Sequence, residues 1–168
     1  GQRALLASDP GEPVAWSPDG TSILMRRTIS STEWLQTMDA RDGTVTRLAA
    51  GQAQPTAWSP DGSWMLLPPA RPAPQADVIW RRPPGQRPIQ IAQGSGPDWS
   101  PDGRRIAYSS RGAGGRPQIW VMNPDGSDPI QITTDGGQDP AWSPDGTRIA
   151  YAYNGRVFVM PADGSARN

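Results

Sequence analysis

The sequence predicts an all-β fold of four tandem repeats, each of which forms one antiparallel sheet of four short strands. The five-residue phrase Trp-Ser-Pro-Asp-Gly begins at Trp16, Trp58, Trp99 and Trp142, at steps of 42, 41 and 43 residues. No apolar periodicity typical of a helix runs through the chain. A fixed period of this size is typical of a repeat fold in which each unit buries its apolar face against its neighbours. Sheets that repeat in this way form the blades of a β-propeller.

Within a repeat, the pattern predicts four strands. The third repeat shows them most clearly, since short alternating segments lie between turn sequences. The Asn-Pro-Asp-Gly sequence at residues 123–126 is typical of the turn between its last two strands. The four predicted strands of this repeat cover residues 98–100, 105–109, 118–122 and 130–133.

The two ends of the chain predict how the last repeat is completed. The expected strands of the fourth repeat cover residues 141–143, 148–152 and 156–160, and no further strand pattern follows them. The first strand pattern in the chain, residues 3–7, has no earlier strands to pair with. We therefore expect this N-terminal segment to be the outer strand of the last sheet, an arrangement that leaves a ring of sheets without an open edge.

These boundaries predict one β-propeller domain over residues 1–168. Its repeats cover about 8–50, 51–92, 93–134 and 135–168, the last together with residues 1–7. The N-terminal strand can complete the last blade within one chain or on a second chain, which gives an eight-bladed ring. The two-chain ring is favoured, because four blades alone would each have to turn through a right angle. Head-to-tail contacts that do not close would build a filament.

The repeat resembles the TolB-type β-propeller repeat. The similarity lies in the repeated phrase, an alternating strand, an Ile-Trp-Val-Met-Asn sequence, Asp-Gly-Ser and a Gln-Ile-Thr strand. The third repeat carries these features in residues 99–103, 105–109, 119–123 and 131–133. The resemblance implies a propeller that usually has six blades, is often exported and docks partner proteins on one face. Related repeats also form the gating domain of some serine peptidases and the body of some polysaccharide lyases.

The repeated phrase is predicted to have a structural role. Proline presets φ at the second turn position, Ser and Asp side chains bond nearby backbone, and glycine adopts the left-handed conformation that closes a short hairpin. The tryptophan offers a large apolar surface on the innermost strand, and we expect it to pack between adjacent blades. The alternative is that these rings stack on a sugar or a cation. The motif residues are Trp16, Pro18, Asp19, Gly20, Trp58, Pro60, Asp61, Gly62, Trp99, Pro101, Asp102, Gly103, Trp142, Pro144, Asp145 and Gly146.

The composition argues against several functions. Sixteen basic residues, all arginine, balance sixteen acidic residues, so the basic excess of a nucleic-acid-binding protein is missing. The chain has no His and no Cys, which removes His-dependent triads and thiol nucleophiles. No apolar run approaches membrane-spanning length. We therefore expect a protein that is not an enzyme and has no cofactor or metal site. A calcium site at Asp125 and Asp128 is a minor alternative.

Two places depart from the repeat pattern. Residues 66–76 contain four prolines, which predicts an irregular, partly polyproline loop. This loop is either a surface connector or a contact for another protein, with Arg71, Pro72 and Pro74 as candidate contact residues. Asp98 stands where the other repeats have alanine before the phrase. We expect its carboxylate to accept hydrogen bonds from nearby backbone or water or, alternatively, to bind a ligand.

Two functional hypotheses remain. The first is a non-catalytic scaffold or protein-interaction module that self-assembles, as a homo-oligomer, or binds another protein. The second is a propeller that binds a small sugar or peptide, or that serves an exported enzyme system. The family resemblance implies an extracellular or periplasmic location. The sequence begins without a charged-then-apolar leader, so we expect either a mature form or a protein that never carried one.

Overall fold

A computed structural model of the chain describes residues 11–50, 58–62, 65–67, 78–82 and 89–165. Within these ranges every regular element is a β-strand, and all paired strands are antiparallel. The all-β prediction is thereby confirmed. The chain separates into two compact units, one of Gly1–Pro55 with Pro69–Pro74 and one of Thr56–Pro68 with Gln75–Asn168.

The first unit contains one sheet of four strands, which lie side by side in chain order. Its strands are β1 (Glu12–Trp16), β2 (Ser22–Ile29), β3 (Thr32–Asp39) and β4 (Val45–Ala50). Ser30 and Ser31, with φ values of 48° and 67°, form the tight turn between β2 and β3. The side chains of Leu24 and Leu35 are buried. The first repeat therefore forms the four-stranded sheet that the period predicts.

The second unit contains the sheets of the other three repeats. The second repeat forms β5 (Met65–Leu67), β6 (Val78–Arg82) and β7 (Ile89–Gln93). The third repeat forms β8 (Ser95–Trp99), β9 (Ile106–Arg111), β10 (Pro117–Met122) and β11 (Ile130–Gln131). The fourth repeat forms β12 (Gln138–Trp142), β13 (Arg148–Tyr153) and β14 (Arg156–Pro161). In each of these sheets neighbouring strands follow the order of the chain.

A bulge in the innermost strand moves the start of two predicted strands. The pairing of β8 with β9 shifts between Ser95 and Asp98, and that of β12 with β13 shifts between Gln138 and Ala141. The extra residue lets the strand continue to pair beyond the interruption. As a result, β8 begins three residues before the predicted start at residue 98, and β12 begins three residues before 141.

The last strand of the third repeat is shorter than predicted. β11 ends at Gln131, although the sequence predicts a strand to residue 133. The hydroxyl of Thr133 accepts the Ile119 N–H at 2.8 Å and donates to the Gln118 side-chain oxygen at 2.8 Å. The side chain thus replaces the carbonyl that a continuing strand would offer to β10.

Two apolar clusters bury the two faces of the third sheet. On one face, Trp99, Ile106, Tyr108 and Met122 pack with Leu66 of β5. On the other face, the third and fourth sheets meet in a contact that we call the closed seam. It consists of Ala107, Ile119, Val121 and Ile132 on the third-repeat side and Trp142, Ile149 and Met160 on the fourth-repeat side. Stacked sheets that share their apolar faces are the packing that the period predicts.

The predicted closure of the ring falls on residues that the structure does not describe. Residues 3–7, the expected outer strand of the last sheet, lie outside the described ranges. Among the described strands, β14 is an edge of the fourth sheet, and no sheet closes on itself. The number of blades in a complete ring therefore stays a prediction.

Candidate functional site

Each described Ser-Pro-Asp-Gly turn is closed by its own side chains. In the fourth repeat the Gly146 N–H donates to the Ser143 carbonyl at 2.8 Å, and the Ser143 hydroxyl donates to Asp145 Oδ1 at 2.6 Å. The Arg148 N–H donates to Ser143 Oγ at 2.9 Å, which fastens the turn to β13. The turn glycines have φ values between 69° and 71° at Gly20, Gly62, Gly103 and Gly146. The predicted turn conformation is present in all four repeats.

These contacts lower the pKa of the turn aspartates. The Ser143 hydroxyl, then the Thr147 backbone N–H, lower the pKa of Asp145 to about 2. The hydroxyl of Ser100 is the main cause of a lowered pKa at Asp102. A carboxylate held ionised in this way is a poor general acid near neutral pH. The turn aspartates therefore have a structural use that their sequence spacing predicts.

A row of three apolar side chains crosses three of the four sheets at the same register. In the first, third and fourth sheets the tryptophan of the phrase lies opposite an isoleucine of the next strand, which lies opposite a methionine of the third strand. We call this feature the Trp-Ile-Met row. Its members are Trp16, Ile23 and Met38 in the first sheet, Trp99, Ile106 and Met122 in the third, and Trp142, Ile149 and Met160 in the fourth. The sequence pattern predicts the tryptophan, but the methionine is found only from the strand register.

The tryptophans of these rows differ in burial. Trp99 packs with Leu66, and Trp142 packs on the third sheet in the closed seam. The indole N–H groups of both rings are buried without an acceptor among the described residues, so the rings act through apolar contact. Trp16 is 59% exposed. Packing between adjacent sheets thus holds for Trp99 and Trp142, whereas the structure shows no such burial for Trp16.

Asp98 links the innermost strands of the third and fourth sheets. Its Oδ2 accepts the Trp142 backbone N–H at 2.7 Å. Burial raises the pKa of the Asp98 carboxyl, and the hydrogen bonds from the Trp142 and Trp99 backbone only partly offset this effect. The observed contact is the backbone hydrogen bond that we expect for a structural aspartate. A ligand-binding role for Asp98 stays a prediction.

A cleft of about 530 Å³ opens between the third and fourth sheets, at the end where the turns lie. Trp142 and Ile132 form part of its apolar wall, and Arg105, Asp102 and Asp163 contribute charged groups. An aromatic wall with a few charged groups is a common arrangement in small-molecule sites.

One face of the fourth sheet exposes two valines beside two half-buried alanines. Val157 is 77% exposed and Val159 is 59% exposed. Both lie on β14 opposite small side chains of β13, because Ala152 pairs with Val157 and Ala150 pairs with Val159. We call Ala150, Ala152, Val157 and Val159 the open face. Exposed valines on one strand face leave apolar area in contact with water.

The remaining candidates are only partly described. Arg71, Pro72 and Pro74 lie outside the described residues. Asp128 Oδ2 accepts a hydrogen bond from the Asn123 amide at 2.8 Å, and Asp125 Oδ1 accepts the Ser127 backbone N–H at 2.9 Å. Over the described ranges, no three acidic side chains gather where they could hold a metal ion. The described part of the chain also contains no helix with the length and hydropathy to cross a membrane.

Solved structures with a similar fold include a TolB protein and proteins from studies of peptidases. TolB from Acinetobacter baumannii is 21% identical over 92% of this chain and 41% of its own, with a TM-score of 0.65. A structure from a study of two prolyl endopeptidases is 18% identical over 94% of this chain and 27% of its own, with a TM-score of 0.63. The β-propeller domain of the Trilobed protease from Pyrococcus furiosus, described as having an open velcro topology, is 11% identical over 89% of this chain and 56% of its own, with a TM-score of 0.58. No family model matches the sequence.

These similarities, together with the repeated antiparallel sheets, define the fold as that of a β-propeller. The fold is TolB-like, as the repeated phrase predicts. The chain spans less than half of the length of the TolB structure that it matches.

Proposed function

We propose that this chain is a non-catalytic β-propeller scaffold that binds proteins, including a second copy of itself, through apolar sheet faces. The observation that carries the proposal is the open face. It exposes valines at the positions where the third sheet buries Ile119 and Val121 in the closed seam. An interface that covers these valines gains the free energy of removing apolar area from water.

The chemistry of the described side chains supports a role without catalysis. The carboxylates of the turns at Asp19, Asp102 and Asp145 are bonded by hydroxyl and backbone groups of their own turns. With neither His nor Cys in the chain, the usual nucleophile and base pairs are missing. The resemblance to TolB-type repeats adds the expectation of an extracellular or periplasmic protein that docks partners.

The proposal is tested by capture on the immobilised chain, with a charge placed on the open face. Wild type, Val159→Lys and the control Ile89→Lys are incubated with secreted and envelope fractions of the source organism, and bound proteins are quantified by mass spectrometry. Ile89 is a matched control because it is an exposed apolar residue on a different sheet. We expect Val159→Lys to lose captured protein at least about tenfold, because a lysine replaces an apolar contact.

A captured protein supports the proposal only if, once purified, it binds wild type and Ile89→Lys directly and binds Val159→Lys more weakly. Binding of this chain to itself counts in the same way. Equal capture by all three variants, or no capture by any of them, contradicts the proposal.

A second candidate function is the binding of a small ligand, and the cleft between the third and fourth sheets favours it. The cleft combines the indole of Trp142 with Arg105 and Asp163, which is a suitable arrangement for a short peptide or a sugar. Some similar solved structures belong to studies of peptidases.

A thermal-shift screen with short peptides and oligosaccharides tests this second candidate. A ligand that binds the folded chain raises the melting temperature by mass action. We expect Arg105→Ala to abolish such a shift if the ligand lies in the cleft, while Arg156→Ala, on β14 away from the cleft, leaves it unchanged. The absence of a shift at millimolar concentrations rejects the candidate.

A further inference from the structure

We infer that a second cleft, at the end of the closed seam opposite to the turns, binds a peptide segment through a carboxylate. This cleft has a volume of about 560 Å³ and lies where two hairpins meet the link between the third and fourth sheets. We call it the hairpin cleft. Its walls include Arg116, Pro117, Gly136, Gln138, Tyr153 and Asn154. The inference does not depend on the open face, so it goes beyond the proposed function.

The hairpin cleft is formed within a continuous part of the chain. All of its lining residues lie between Arg116 and Gly155, and described strands precede and follow this range. The β9–β10 hairpin contributes Arg116, the link from β11 to β12 contributes Gly136, and the β13–β14 hairpin contributes Asn154. In a repeat array, further sheets stack on the faces of existing sheets and not on the ends of their strands. The cleft therefore stays open when neighbouring sheets cover the faces beside it.

Two glycines give the hairpin cleft a fixed floor. The Gly137 N–H donates to the Pro117 carbonyl at 3.0 Å, which ties the link to the third sheet. A Cβ at Gly136 would collide with the Tyr153 ring, so the glycine allows this ring to lie directly on the backbone. The same ring contacts that of Phe158, with 6.2 Å between the centroids. The aromatic wall is thus held in place before a ligand arrives, which lowers the entropic cost of binding.

Four polar side chains of the hairpin cleft make no hydrogen bond or ion pair with another described residue. They are the guanidinium of Arg116, the hydroxyl of Tyr153 and the amides of Gln138 and Asn154. By contrast, Arg111 in the same hairpin donates to the Gly115 carbonyl at 3.2 Å. A guanidinium offers a planar fork of donors that matches a carboxylate, and an amide both donates and accepts. The cleft therefore places an anion-binding group beside groups that can bond a peptide backbone.

The charges at the two ends of the closed seam have opposite signs. Among the described residues that line the hairpin cleft, Arg116 alone is charged. The cleft at the turn end is lined by three aspartates and one arginine, Asp102, Asp145, Asp163 and Arg105. A carboxylate is therefore attracted to the hairpin end and repelled from the turn end.

The uncharged walls of the hairpin cleft favour a peptide over other anions. The rings of Tyr153 and Pro117 provide flat apolar surface. The amides of Gln138 and Asn154 are suited to the alternating N–H and C=O groups of an extended peptide. A peptide that carries a carboxylate and a nearby apolar side chain offers all three kinds of contact together. An inorganic anion lacks the apolar part, and a neutral saccharide lacks the charge.

The experiment follows the backbone amide signals of the isotope-labelled chain during an NMR titration. The acidic probe is N-acetyl-Phe-Gly-Glu with a free carboxyl terminus. The neutral probe, N-acetyl-Phe-Gly-Gln amide, lacks both carboxylates, and two further probes carry one carboxylate each. The variants are Arg116→Gln, Arg116→Lys and the control Arg104→Gln. Arg104 is an exposed arginine that lines neither cleft. Circular dichroism with a melting curve confirms that each variant folds.

We expect the acidic probe to shift the amide signals of Gly137 and Gly155 in a saturable manner in wild type and in Arg104→Gln. Binding should be at least about tenfold weaker for the neutral probe and for Arg116→Gln, because charge-assisted hydrogen bonds are lost. Arg116→Lys keeps the charge without the planar fork and should fall between wild type and Arg116→Gln. The two probes with one carboxylate identify whether the side-chain or the terminal group contacts Arg116.

Four results overturn the inference. No shift with the acidic probe at millimolar concentrations removes the site. Equal binding of the neutral probe, or of the acidic probe to Arg116→Gln, shows that the carboxylate is not recognised. Equal shifts with sodium acetate indicate a site for simple anions. Shifts with maltotriose but not with the peptide indicate a saccharide site. Val159 does not line the hairpin cleft, so each of these results leaves the proposed function standing.

Discussion

The closed seam and the open face present equivalent strand positions of two repeats in two different environments. In the closed seam, Ile119 and Val121 are buried beneath the fourth sheet. On the open face, Val157 and Val159 occupy the corresponding strand positions and are exposed. The side chains are alike in size and polarity, so the difference does not come from the strand itself. It comes from whether side chains of a neighbouring sheet cover the pair among the described residues.

This difference shows how stability and binding are related in a repeat fold. The same kind of apolar pair stabilises the fold where a neighbouring sheet covers it, and under the proposed function it binds a partner where it is exposed. Substitutions at matched positions should therefore have different effects in the two places. The predictions below test this comparison and the polar contacts that accompany the closed seam.

The largest expected effect is a difference in unfolding free energy between matched substitutions in the closed seam and on the open face. Ile119→Ala removes a fully buried side chain from the closed seam and should lower the free energy of unfolding by about 2–5 kcal/mol. Val157→Ala should change it by no more than about 0.5 kcal/mol, because the side chain is exposed in the unbound chain. Urea unfolding in dilute solution measures both values. Equal costs at the two sites would mean that the open face is covered within a single chain.

A smaller loss is expected from the polar contact that accompanies the closed seam. Asp98→Ala removes the acceptor of the Trp142 N–H and should lower the free energy of unfolding by about 1–2 kcal/mol. Asp98→Asn keeps an oxygen acceptor in place and should cost less than the alanine variant. Urea unfolding of both variants checks this order, and a harmless Asp98→Ala would show that the hydrogen bond does not stabilise the seam.

The pH dependence of stability provides an independent test of Asp98. Burial raises the folded-state pKa above the usual value of 3.8. The contribution of this group to stability is therefore largest below pH 3.8 and is lost as the pH rises through the raised pKa. Asp98→Asn cannot ionise, so its stability relative to wild type should improve from acidic to neutral pH. A difference that stays constant across this range would contradict a raised pKa.

The turn at the edge of the closed seam should show a shift in pKa. Ser143→Ala removes the main cause of the lowered pKa of Asp145, so this pKa should rise from about 2 toward 3.8. In wild type, the ionised Asp145 carboxylate stabilises the fold above pH 3.8, and this stabilisation is lost as the pH falls through about 2. Because the pKa is higher in the variant, the variant should lose the stabilisation at a higher pH. A carboxyl NMR titration reports the pKa, and Ser100→Ala, in a different turn, is the control that should leave Asp145 unchanged.

The smallest effect concerns strain next to the closed seam. Asp139 in β12 has a φ of 52°, whereas the corresponding residue in the third sheet is Gly96 with a φ of 57°. Asp139→Gly should relieve strain and raise the free energy of unfolding by no more than about 1 kcal/mol, because glycine also costs entropy on folding. Gly96→Ala is the reverse control and should destabilise, since its Cβ would lie 3.1 Å from Asp139 Oδ1. Thermal unfolding measures both.

The sequence predicts much of this fold because its signals are local. The phrase around Ser143 and Asp145 contains every group that closes the turn, so the turn can be read from five to six residues. The period then predicts where each sheet begins. The bulge that extends β8 to Ser95 is less predictable, since it depends on pairing with β9 rather than on the composition of β8.

The candidate site is harder to predict from the sequence, because the burial of its side chains depends on which sheet packs against them and not on the spacing of residues along the chain. The four tryptophans have the same sequence context, yet Trp99 is buried and Trp16 is exposed. Met160 joins the row only through its pairing with Ile149. The open face has no sequence motif of its own. Its alternating valines are typical of any β-strand, so the sequence alone does not show that they are exposed. One signal could have indicated it, the correspondence of Val157 and Val159 with Ile119 and Val121 in the preceding repeat.

The self-contained turns have a consequence for the order in which the protein folds and opens. The hydrogen bonds that close a turn such as residues 143–148 span no more than five residues, so they form without waiting for distant chain segments. Sheets can then nucleate singly and add to one another as in a one-dimensional array. The third sheet, protected on both faces, should exchange its amide hydrogens last, and β14 should fray first. A graded exchange profile across the second unit, rather than one cooperative step, is the kinetic signature of such an array.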